Sequence, residues 1–190
     1  MTTEQNVALE KSDVNEDQTL ALLRQPAATS AVLEKIAKDP ATAKSRKIKL
    51  ALIEHLHTPR HVSLLLLRNL YTFDLMTVAL MPVVAADIKI AAEESLIQRL
   101  EKLSIGEKLS LARRASTRVV AALLHQSDAR IVNAALETPR LTEIVLVNAL
   151  ASRDSSDLLD QTVRRHAKWS LRPEIQQALQ RRADRTPEDA

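Results

Sequence analysis

A single glycine, Gly106, serves a chain of 190 residues. Hairpin turns and most tight loops need residues that tolerate positive φ, and glycine is the usual one. A chain so short of glycine cannot be a sheet protein. It predicts an all-helical fold whose helices are joined by short loops of Pro, Thr, Ser and Asp. Aromatic residues are only 2% of the chain. The core must therefore be assembled from Leu, Ile, Val and Ala.

The scarcity excludes chemistry as well. A phosphate-binding loop, a dinucleotide fingerprint or a nucleophile elbow each needs glycines for close backbone approach. With no cysteine, thiolate catalysis, disulfides and iron–sulfur or zinc–thiolate sites are excluded. No nucleophile–base pair stands out either. The expectation is a non-catalytic protein without cofactors or metals. The most apolar stretch, 62–86, is interrupted by Arg68, Asn69, Asp74 and Pro82, which argues against a bilayer span. With no apolar secretory segment at residues 1–13, the chain reads as cytoplasmic.

One segment recurs. His57-Thr58-Pro59-Arg60 leads into an apolar run ending at Leu70, and Glu137-Thr138-Pro139-Arg140 into one ending at Leu150. A basic amphipathic stretch precedes each. Aligning Thr58 with Thr138 gives an offset of 80 residues, whereas an offset of 83 pairs Leu67 with Leu150 equally well. Such self-similarity is the signature of a helical repeat array. Residues 16–182 read as one helical domain between mobile ends, 1–15 and 183–190.

Caps and periodicity divide this domain. Ser30 to Lys38 is a helix with Val32, Leu33 and Ile36 on one side. Asp39-Pro40 opens a helix from Ala41 to Leu56 that turns Ile48, Leu52 and Leu56 inward. Thr58-Pro59 starts the next, and Pro82 stops the one after it. Ile88, Ala92, Leu96, Leu100 and Leu103 form a stripe at helical spacing. Ser104-Ile105-Gly106-Glu107 is a capping box, and a break is expected near Ser116-Thr117. Asp128 caps a helix to Leu136. Thr138-Pro139 opens the helix carrying Ile144, Val147 and Leu150. Asp154-Ser155-Ser156 is a turn, and Trp169-Ser170 starts the last helix. Tyr71 and Phe73 read as core.

The segment from Asp128 to Leu141, with its Asp-x-Arg start, small alanines and terminal proline, resembles a repeat unit of the HEAT-like superfamily, and in particular the leucine-rich repeat variant. Residues 160–180 look like a degenerate further unit and 45–70 like an earlier one. The resemblance implies a short right-handed α-solenoid of helical hairpins, whose neighbours bury one another's apolar faces. One member of the variant family carries a cysteine-ligated iron–sulfur cluster, which a chain without cysteine cannot repeat. What the resemblance implies about activity is an interaction scaffold, with another protein as the expected partner.

Charge supplies the alternative. The net charge is only +3, but cations cluster. Lys44, Arg46, Lys47 and Lys49 form one group; Lys108, Arg113, Arg114 and Arg118 a second; Arg164, Arg165, Lys168 and Arg172 a third. Merged on one face, they would suit a DNA or RNA backbone. Interleaved with carboxylates, they are ordinary solvated faces, the commoner case. Arg60 and Arg140 follow the paired prolines and read either as a ladder of contacts or as exposed first-turn residues. His55, His57 and His61 lack the spacing of a metal site. Trp169 with Asp160 and Arg172 suggests a glycosylase of the HEAT-like type, but a lone tryptophan reads first as core.

Overall fold

The computed structural model describes residues 16–184; the expected mobile ends, 1–15 and most of 183–190, lie outside the described residues. Among the described residues all regular structure is helical, and none has a positive φ. Gly106 itself sits in a helix, so even the one glycine is not used for its conformational freedom.

The helices are α1 (16–23), α2 (Ser30–Lys38), α3 (Pro40–Lys44), α4 (Arg46–Glu54), α5 (Arg60–Arg68), α6 (Thr72–Leu80) and α7 (Ala86–Arg99). A 3-10 turn at Leu100–Lys102 follows. Then come α8 (Ile105–Arg114), α9 (Thr117–Leu123), α10 (Ala129–Glu137), α11 (Glu143–Ala151), α12 (Asp157–Arg165) and α13 (Pro173–Ala183). The helical domain expected over 16–182 divides into two compact units, one up to Ser95 and one from Leu96, with the boundary inside α7. No described helix is long and apolar enough to cross a membrane.

In the first unit α4 is the hub: it packs on α2, α3, α5 and α6. Its buried face carries Ile48, Leu52 and Ile53. The helix expected from Ala41 to Leu56 is two helices. Ser45 interrupts it because its hydroxyl accepts from the Ile48 N–H and caps α4. The Thr58 hydroxyl donates to the Leu52 carbonyl (2.5 Å) and finishes the other end. Leu56, expected inside, is 80% exposed. It lies two residues past the last helical position, where the helical face rule no longer applies.

In the second unit the packing alternates. α8 packs on α10 and α10 on α12, while α9 packs on α11 and α11 on α13. Each helix therefore meets the one two places along, in two layers. Ser104 and Glu107 complete the expected capping box of α8. Asp128, Thr142 and Ser156 cap α10, α11 and α12 through their side chains. The break expected near Ser116-Thr117 separates α8 from α9. The core is Leu111, Val119, Leu123, Ile131, Leu136, Leu146, Leu150, Val163 and Ile175, all at most 1% exposed.

Helix boundaries decide the offset. α4 and α10 begin and end 83 residues apart, as do α5 and α11. At this offset Ile48 and Ile131, Ile53 and Leu136, and Leu67 and Leu150 are matched buried pairs. The Thr-Pro alignment at 80 is a local coincidence. Pro59 is the N-cap of α5, whereas Pro139 lies in a turn three residues before the Thr142 cap. Thr138-Pro139 therefore does not open α11, contrary to expectation, and Ile144 at its start is exposed. Trp169-Ser170 likewise forms a turn, and the last helix starts at Pro173.

Candidate functional site

Two surfaces hold the residues singled out in the sequence, one in each unit. In the first unit an open groove of about 730 Å³ runs between α1, α4 and the segment after α6. Leu20, Leu23, Pro26, Leu50, Ala51 and Met81 give it an apolar lining, and the exposed Leu56 and Val83 extend that lining to the rim. Arg24, Lys47, Glu54 and His57 supply charge and polarity. His55 is a structural part of the wall. Its Nδ1 accepts from the His57 backbone N–H (3.2 Å), which leaves Nε2 to donate to the Gln25 carbonyl (3.2 Å). His61 lies elsewhere, 3.5 Å from Glu34. Among the described residues no group of three or more His, Asp or Glu is arranged to hold a metal.

Asp74, in the sequence only an interruption of an apolar stretch, is a buried carboxylate. It sits in the first turn of α6, a largely apolar helix, and its side chain is only 2% exposed. Arg46 reaches it from α4, with Nη2 at 2.5 Å and Nε at 2.6 Å from Oδ1. The hydrogen bond from Arg46, and then the attraction of the two charges, raise the guanidinium above its usual range. Oδ2 of Asp74 is buried without a protein partner. A small cavity of about 320 Å³ adjoins the pair, lined also by Lys44, Lys49 and Tyr71. Tyr71, expected in the core, is 76% exposed, and Phe73 is partly exposed. The signal was present: an aspartate in an otherwise apolar helix needs a cation.

Of the first cation group, then, Arg46 is spent on Asp74, and Lys47 lies 3.8 Å from Glu16. Lys44 is exposed. Arg60 pairs with Asp87, whose carboxyl is held below its usual range mainly by that hydrogen bond.

In the second unit hydrogen bonds set three loops in a row. Thr117, at the start of α9, donates to the Arg140 carbonyl in the α10–α11 loop (3.2 Å). Trp169, in the α12–α13 loop, donates through Nε1 to the Leu136 carbonyl at the end of α10 (2.9 Å). Arg172 lies 3.8 Å from Glu143 across the same two loops, and His166 3.3 Å from Glu137. The α8–α9, α10–α11 and α12–α13 loops thus share one edge. The side chains of Arg113, Arg114, Arg118, Arg140, Arg165, Lys168 and Arg172 are all exposed there. Arg164 is turned away, with Nη2 3.4 Å from the Leu179 carbonyl on α13.

Trp169, a candidate contact residue in the sequence reading, is 3% exposed and belongs to the core, with Lys168 Nζ 4.1 Å from its ring centroid. Asp160 faces Arg182 (2.9 Å) rather than Trp169. Burial is the largest influence on its carboxyl and raises it. Asp128 holds Arg130 at 2.7 Å, and that guanidinium lowers the Asp128 carboxyl to about 2. No family model, curated protein or solved structure matches the chain.

Proposed function

We propose that this protein is a non-catalytic interaction module, a helical-repeat scaffold of the HEAT-like kind that binds a partner protein. The two-layer alternation of α8–α13 supports the solenoid reading, because each helix shields its second neighbour as in a repeat array. The repeated helix lengths at an offset of 83 support it too.

The observation that carries the binding reading is the groove of the first unit. Its walls are apolar, and Leu56 and Val83 leave large apolar surface at its mouth. Exposed apolar surface around a concavity marks a docking site. Arg24 and Lys47 are the cations of its lining and Glu54 its carboxylate, and Lys47 also lies 3.8 Å from Glu16. A matching segment is an amphipathic helix with apolar residues at i, i+3, i+4 and i+7 and acidic flanks. Peptide selection against the full chain tests this. It should enrich segments of that pattern, and Leu56→Asp should weaken their binding at least tenfold without unfolding the protein. Enrichment of basic or purely polar segments, or binding indifferent to Leu56→Asp, would refute the proposal.

A further inference from the structure

The row of loops in the second unit gathers exposed cations along one edge. Arg113 and Arg114 end α8, where the negative end of the helix dipole favours cations. The same dipole disfavours cations at helix starts. Yet Arg118 is in the first turn of α9, Arg140 just precedes α11, and Arg172 is the N-cap of α13. The alternate helices α9, α11 and α13 therefore each begin beside an exposed arginine, of which Arg172 has Glu143 within 3.8 Å. The only acids in these loops and their flanks are Glu137, Glu143 and Glu174. Glu137 faces His166 and Glu143 faces Arg172.

The row is also held rigid. The Trp169–Leu136 and Thr117–Arg140 hydrogen bonds fix neighbouring loops, and Thr138 and Leu141 beneath them are buried. Packed helices lie about 8–10 Å apart, so three loops span roughly 20 Å. A duplex presents about one charge per 1.7 Å of axis, or on the order of twelve charges over that length. An edge that carries cations and no exposed aromatic grips backbone rather than stacking on unpaired bases.

We infer that this edge is a docking surface for the phosphate backbone of a nucleic-acid duplex. The inference uses a different unit from the groove, and loss of either activity leaves the other standing.

The test is fluorescence anisotropy of a labelled 20-base-pair duplex with the full chain. With about four phosphates neutralised, affinity should fall about 10²-fold between 50 and 200 mM salt. Arg113→Ala/Arg114→Ala/Arg165→Ala should lose at least tenfold in affinity and show a flatter salt dependence. Lys102→Ala/Arg153→Ala/Arg181→Ala removes as much charge elsewhere on the unit and should stay within twofold. All six side chains are exposed, so both variants should keep their helical circular dichroism; Arg165→Glu alone provides a milder check, with the same direction of effect. No duplex binding at 50 mM salt would overturn the inference. So would equal losses in the two triple variants, or tighter binding to the single strand, polyglutamate or phosphatidylserine vesicles.

Discussion

Trp169→Phe should cost far more than its conservative chemistry suggests. The indole is 3% exposed and its Nε1 donates to the Leu136 carbonyl at 2.9 Å. Leu136 is near the end of α10, and its carbonyl lacks an intrahelical acceptor role there. Phenylalanine leaves that buried acceptor unpaired, at about 1–3 kcal/mol. The smaller ring also leaves a void of roughly 40 Å³, worth about 1 kcal/mol at ~24 cal/mol per Å³. The expected loss is about 2–4 kcal/mol. Urea unfolding followed by circular dichroism measures it, since the substitution removes the only tryptophan. Leu171→Ala, in the same turn but exposed, should change stability by less than about 0.5 kcal/mol. A Trp169→Phe cost below about 1 kcal/mol would refute the placement of the indole as the tie between the α12–α13 loop and α10.

Three further substitutions or titrations follow from the geometry. Gly106→Ala should stabilise by about 0.5–1 kcal/mol, because the glycine is helical and a Cβ there meets nothing within 4 Å; destabilisation in thermal melts would contradict it. Ser104→Ala should cost about 0.5–2 kcal/mol through loss of the α8 cap, and an unchanged urea midpoint would show the cap to be idle. Asp128, Asp87 and Glu107 titrate below their ordinary values, so the fold binds their protons less readily than the unfolded chain does. Their stabilisation is present above about pH 4 and is lost as pH falls through each lowered titration, which for Asp128 lies at about 2. Asp160 is raised, so its contribution has the opposite sign: stability falls as pH rises through its titration. Carboxyl NMR should find Asp128 titrating below Asp160; the reverse order would contradict the two environments.

Features with a local cause were legible in the sequence. Ser104-Glu107 and Asp128 each carry their own cap, and Pro82 removes the donor a longer α6 would need. Failures occurred where several faces are apolar at once. α6 and α11 are apolar nearly all round, so periodicity could not tell that Phe73 and Ile144 face outward and Asp74 inward. Leu56 lies outside a helix, where spacing has no directional meaning. Of the candidate cations, sequence could group neighbours but not pair Arg46 with Asp74, 28 residues away, or turn Arg164 toward α13. Nor could it bring Arg140 beside Thr117, which depends on the packing of α9 against α11.

Hydrogen–deuterium exchange of the full chain, with and without a selected amphipathic peptide, tests the interaction-module reading most directly. Added protection should concentrate at residues 20–26, 47–57 and 81–83, the walls of the groove. Protection confined to other helices, or none at saturating peptide, would contradict it.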